Sequence, residues 1–404
     1  MIVASLVVLL GLGYSVVAVQ YADVRLSGVV VVPLTAVYVL YDFAMFPLAV
    51  LGVGVAYATI TVLRRRTLLF GRSLLIAGIV AGALVPVIAI GTLSAVRPSG
   101  PLHVAFVGSI LPGVAAYNYS REDRAQRKRD LVASLAGLAS LLAVGFMLVN
   151  PTTGSFLAGA APPILLSEHA TVASVRDVAV PTYGYDPALP HWAGTLGLLL
   201  GIGVTEAIYA RWGVRLTGMA ALPLVALFSL QYPAALPAYA AGVVLVFALV
   251  SVVAHAALLY GRVLLSLAIA GGIVFAVGLG AFGPQLPGFV LLFLGLLTGV
   301  GGYNVHRVPP TERRAAVTIS AAVYVWFLAG FWSIATDPAF DPGPATVAAS
   351  GVVTALGLRD LVALESRRPG RGLLARVGRG PGGPGADRRS AGDGTDGTQG
   401  GVQP

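Results

Sequence analysis

Cysteine is absent from the 404 residues, which removes disulfides, thiolate catalysis and cysteine-based metal sites at once. Lysine is nearly absent: Lys128 stands alone, and every other basic residue except histidine is arginine. Lys128 lies in Gln-Arg-Lys-Arg, so the chain has no Gly-Lys-Ser/Thr phosphate loop. The five histidines (His103, His169, His191, His255 and His306) are scattered, and neither His-Glu-x-x-His nor Gly-x-Ser-x-Gly occurs. These absences leave no catalytic residue, metal site or cofactor site to name. Charge is scarce as well. Only 11% of the residues are Asp, Glu, Lys or Arg, whereas a soluble domain carries about 25%.

What fills the chain instead is apolar. Hydrophobic residues make up 57% of it, and the mean hydropathy is +0.85. A soluble surface could not be clothed with so few charges, so lipid must solvate most side chains. The runs Met1–Tyr21, Phe43–Leu63, Ser73–Leu93, Leu131–Asn150 and Ala315–Trp332 each approach the ~20 residues that cross ~30 Å of hydrocarbon. They do not alternate apolar with polar, as barrel strands would. The expected fold is all-α and polytopic. The net charge of +9 then reads as cationic cytoplasmic loops rather than a nucleic-acid surface. Met1–Tyr21 lacks the cationic start of a signal peptide, and a similar segment recurs mid-chain, so it belongs to the fold.

That recurrence is general. Shifting the sequence by 190 places lays Val24-Arg25-Leu26-Ser27-Gly28 on Val214-Arg215-Leu216-Thr217-Gly218. In the same register Pro33 meets Pro223, Pro47 meets Pro237, and Phe70-Gly71-Arg72 meets Tyr260-Gly261-Arg262. After a four-residue shortening, Leu111–Asn118 meets Leu297–Asn304 and ends in Tyr-Asn both times. Apolar composition alone would align Leu with Leu, but not Arg, Pro and Tyr-Asn together. The pattern predicts two tandem copies.

Each copy reads as six spans, at about 1–21, 26–41, 43–63, 73–93, 102–119 and 131–150, then about 191–210, 216–231, 233–254, 263–281, 287–304 and 314–333. A terminal helix is expected over Thr346–Leu364, weakened by Arg359 and Asp360. This arrangement puts 24 of the 26 basic residues on one side, with only Arg97 and Arg176 opposite. The positive-inside rule then makes the repeats parallel, the N-terminus external and the C-terminus cytoplasmic. The expected domains are a first membrane repeat at 1–150, an external connector at 151–190, a second repeat at 191–333, a loop with the terminal helix at 334–366, and a disordered tail at 367–404.

Three repeated elements are candidates for a substrate path or for packing. The first is Gly28 through Pro33, with Gly218 through Pro223. Proline frees a carbonyl in a membrane helix, which is tolerated in packing kinks and beside watery cavities. The second is Pro112 and Gly113 with Asn118, matched by Gly299 with Asn304, where small residues allow close helices and Asn can cap or bond across them. The third is Arg72 with Arg262. Snorkelling explains these arginines simply, and contact with an anion is the functional alternative.

In this order and spacing the elements resemble the poly-γ-glutamate biosynthesis membrane protein family PgsC/CapC. Gly28–Pro33, Phe70-Gly71-Arg72 and Leu111-Pro112-Gly113 with Asn118 carry the resemblance, and copy two repeats it with Thr298 in place of the proline. The resemblance implies a non-catalytic plasma-membrane subunit of a capsule-type polymer synthesis and export complex. Its partners would be a separate ATP-dependent ligase (PgsB/CapB-like), other complex subunits and membrane lipid, with no nucleic acid. The competing expectation is an autonomous secondary transporter for a small anionic or polar solute.

Overall fold

The computed structural model describes residues 1–96, 110–157, 160–181 and 188–367. The expected tail at 368–404, and the part of the expected span 102–119 that precedes 110, lie outside the described residues. The fold is helical, and among the described residues the only β pairing is an isolated bridge between Ser167 and Val180.

Among the described residues ten helices are long and apolar enough to cross a bilayer, which makes the chain a multi-pass membrane protein. In the first half these are α1 (Ile2–Ala22), α3 (Met45–Arg66), α4 (Arg72–Val96) and α6 (Arg124–Leu148), joined by the short α2 (Val31–Tyr41) and α5 (Leu111–Ser120). The connector holds α7 (Pro151–Leu157) and α8 (Thr171–Val175). In the second half follow α9 (His191–Trp212), the short α10 (Ala221–Gln231), α11 (Ala235–Ala257), α12 (Gly261–Phe282), α13 (Gly288–Arg307) and α14 (Pro310–Ile334). The terminal helix α15 (Pro344–Ser366) is fully formed, with Arg359 and Asp360 near its end. The interruption expected from these two charges does not occur. Asp360 Oδ2 accepts a 2.6 Å hydrogen bond from the Thr318 hydroxyl on α14, so its charge is satisfied inside the helix pair.

Two expected spans are corrected. The segments 26–41 and 216–231 are not whole crossings. The helices there, α2 and α10, have 11 residues each, about 16 Å at 1.5 Å per residue. For 26–41 the cause is backbone chirality, which Leu216, Thr217 and Gly218 do not share. Leu26 and Ser27 take φ near +51°, and Gly28 takes φ +129°, so no right-handed helix can run through them. Pro33 is therefore no kink. It is the third residue of α2, where the backbone nitrogen would lack an intrahelical partner in any case.

The connector is folded rather than draped. Ile164, Leu165, Leu166, Val172 and Leu189 are buried, and the backbone of Val180 donates to Leu166 O. The two halves meet reciprocally: α4 packs on α9, and α12 packs on α1. The most deeply buried helices are α10, in which every residue but Gln231 is buried, and α13, in which most are.

Candidate functional site

The most built feature of the molecule is the loop that precedes each short helix. In the first half, Ser27 donates from its backbone N–H and from its hydroxyl to Asp130 Oδ2, both at 3.0 Å. Its carbonyl accepts from Asn118 Nδ2 at 2.9 Å. A loop residue with positive φ is thus clamped from α5 on one side and α6 on the other. Gly28 completes the turn, and a Cβ there would sit 3.1 Å from Asn118 Nδ2.

The second half clamps its loop at the same place with other chemistry. Asn304 Nδ2 donates to Thr217 O at 3.0 Å, while the Thr217 N–H donates to Ser320 Oγ at 3.2 Å. The position corresponding to Asp130 is Ala316, and the accepting hydroxyl stands one turn further along α14. Gly218 is not in the positive-φ region.

Pro33 and Pro223 face away from these clamps. A Cβ on Gly11 would meet Pro33 Cβ at 2.4 Å, and one on Gly201 would meet Pro223 Cγ at 2.5 Å. Each proline seats its short helix on the first helix of its own half. Gly113 and Gly299 are close-approach points too. Added Cβ atoms would lie 2.3 Å and 2.5 Å from the Cα atoms of Ile79 and Ile269, so only glycine lets these backbones touch. Pro112 is the second residue of α5 and packs on Gly52.

Arg72 and Arg262 leave their own halves. Arg72 Nε pairs with Glu206 Oε2 at 2.8 Å, and its guanidinium lies 4.0 Å from the Tyr209 ring centre. Arg215 approaches the same ring at 5.5 Å. In return, Arg262 donates to Arg25 O at 3.3 Å, beside the first loop. Arg25 in turn pairs with the buried Glu122 at 3.0 Å. The candidate residues therefore fall into three groups: loop clamps (Gly28, Asn118, Asn304, with Gly218 next to Thr217), helix seats (Pro33, Pro112, Gly113, Pro223, Gly299) and cross-half arginines (Arg72, Arg262).

Sequence reasoning missed Asp130, Glu122 and Glu206. Asp130 is only 1% exposed, and its Oδ1 has no hydrogen-bond partner. In the sequence it ends the run Arg-Lys-Arg-Asp, which reads as a solvated loop. The usable signal was an acid at the first apolar residue of a span, where a carboxylate is costly unless it holds something.

Each clamp floors a cavity. The first, about 390 Å³, is lined by Ser27, Thr35, Tyr38, Phe46, Pro112 and Ser134 among others. The second, about 510 Å³, is lined by Thr217, Tyr239, Ser320 and Tyr324, and also by Thr346 and Ser350 of α15. Both are apolar clefts with a few hydroxyls. No group of three or more acidic or histidine side chains suited to a metal occurs among the described residues. The arrangement fixes loops and gathers guanidinium groups; it offers no paired acid and base.

Comparison with known proteins gives one family match. Residues 10–128 match the model of the family described as capsule biosynthesis CapC. That stretch runs from α1 into the start of α6 and includes the Gly28, Arg72 and Asn118 elements. No match is found among the curated proteins or the solved structures.

Proposed function

From the premise that residues 10–128 form a capsule biosynthesis CapC domain, which ties the chain to capsule biosynthesis, we propose that it is a membrane subunit of a poly-γ-glutamate-type synthesis and export complex. The family match carries this reading. The subunit is non-catalytic by itself and works beside a separate ATP-dependent amide ligase, which activates the monomer. It sits in the plasma membrane with its arginine-rich loops on the cytoplasmic side. It arose by tandem duplication, and the second copy keeps the clamp and the seats under altered side chains. The recurrence of the Asn–loop bond at Asn118 and Asn304 supports that history.

The basic loops are the surface offered to the ligase or to the polyanionic product. Their arginines divide by role. Arg64 and Arg127 both donate to Ser120 O and hold the end of α5. Arg65, Arg66, Arg124, Lys128 and Arg129 are exposed. Charge reversal at these five should lower polymer yield and ligase co-purification with the protein still in the membrane.

Deletion decides the reading as a whole. In a host that makes the polymer, loss of this chain should abolish secreted polymer, and the full chain should restore it. Unchanged polymer in the deletion strain would overturn the proposal. One observation favours the transporter reading instead: a buried carboxylate oxygen of Asp130 without a partner, beside a broken helix. Solute uptake by the purified chain in liposomes, without partners, would decide for that alternative.

A further inference from the structure

The two cavities differ in one wall. In the second half, α15 lies along α14 and adds a wall to the cavity, contributing Thr346, Ala349, Ser350 and Val353. The contact residues Thr346, Ser350, Val353, Gly357, Asp360 and Leu364 follow alternating steps of four and three, the seam of two helices in a left-handed pair. Gly357 is the closest point, where an added Cβ would lie 2.4 Å from Ala322 Cβ.

In the first half the matching face of α6 is bare. At the positions corresponding to Thr318, Ala322 and Val325 of α14 stand Val132, Ala136 and Ala139. Ala322 is 8% exposed, whereas Val132 is 67% exposed and Ala136 and Ala139 are both exposed. No described helix follows α6 as α15 follows α14, because the chain turns at Asn150 into the connector. Behind this face, the Tyr38 hydroxyl (on a residue 5% exposed) and the Ser134 hydroxyl line the cavity, buried and without a hydrogen-bond partner.

We propose that the groove between α3 and α6 receives a single membrane-spanning helix from another protein chain. That helix takes the place α15 holds in the second half. Its chemistry follows from the walls: small residues in a four-three seam against Val132, Ala136 and Ala139, and a hydroxyl or amide side chain to meet Tyr38 and Ser134. An acyl chain would fill the volume, but it would leave both hydroxyls unsatisfied in hydrocarbon. The inference rests on the equivalence of the two halves proposed above.

The absence of cysteine makes the test clean. The full chain carrying Val132→Cys is coexpressed with a single-span probe of residues 344–366 carrying Asp360→Cys, and disulfide formation in the membrane is measured. A full chain with Thr318→Cys and Asp360→Cys, whose native side chains meet at 2.6 Å, is the internal reference and should close on itself. Val252→Cys, on an equally exposed face of α11, is the comparison. Cross-linking at Val132→Cys should exceed that at Val252→Cys roughly fivefold or more, the yield expected of ~1 kcal/mol of specific helix pairing. Ser350→Ala in the probe should lower it.

Equal or absent cross-linking overturns the proposal and leaves lipid as the occupant, and an open reference overturns it also. Covalent dimers between a copy with Val132→Cys and one with Asp360→Cys, formed without the probe, would assign the groove to a second copy instead. Polymer yield plays no part in this readout, so it stands or falls apart from the capsule assignment.

Discussion

The first and second halves clamp the loop before their short helix at the same place, but one holds it with a carboxylate and the other with a hydroxyl. Asp130 takes both donors of Ser27, whereas Ser320 takes only the backbone N–H of Thr217. The Asn–carbonyl bond thus recurs with either acceptor, while the positive-φ turn occurs only beside the carboxylate. What the carboxylate adds is a buried negative charge facing Arg262, which comes from the opposite half and also lies near Arg25, Glu122 and Arg121. The family match, residues 10–128, lies in the half that holds this charge but ends two residues before Asp130.

The largest effects should come from the seats that both halves share. Gly113→Val and Gly299→Val each drive side-chain atoms into the backbone of a facing helix. Each should cost about 3 kcal/mol or more and abolish monodisperse protein on size-exclusion chromatography. A tolerated substitution in one half alone would show that the halves pack differently.

Next come the clamps, which should be unequal. Asp130→Ala strands the Ser27 N–H and hydroxyl, for about 1–3 kcal/mol, while Ser320→Ala removes one longer bond, for about 1 kcal/mol. Thermal unfolding in detergent reads both. An effect at Ser320 as large as that at Asp130 would break the comparison. Asn118→Ala and Asn304→Ala each remove one similar bond and should cost about 1 kcal/mol apiece, matched between halves.

The smallest effect joins the halves. A double-mutant cycle on Arg72→Gln and Glu206→Gln should give a coupling of about 1 kcal/mol, since the pair is partly shielded. The same cycle on Arg211 and Glu365, where the arginine is 53% exposed, should give about 0.5 kcal/mol or less. Salt should weaken the second more than the first.

Much of this was legible in the residues. Long apolar runs marked the ten spanning helices, because hydrocarbon demands length and composition whatever the neighbours. Pro33, Gly113 and Asn118 were singled out together with their counterparts: Pro33 as a kink, Gly113 as a point of close helix contact, and Asn118 as a cap or a bond across helices. Pro33 and Gly113 turn out to be seats, and Asn118 a clamp on the loop before α2. The start of α2 was not legible. Leu26 and Ser27 are ordinary residues locally, and their positive φ persists because Asp130 and Asn118 hold the loop from 103 and 91 positions away. Asp130 itself was hidden by its basic neighbours.

The sequence by itself determined the solvent: so apolar and charge-poor a chain has to lie in lipid as helices, and hydrophobicity acts residue by residue without reference to partners. Tertiary structure alone decided which polar groups are buried together, that Arg72 and Arg262 cross between halves, and that α15 covers α14 while α6 stays open. Those outcomes depend on hydrogen bonds and close backbone contacts between residues far apart in the chain, and such contacts exist only once the helices have packed.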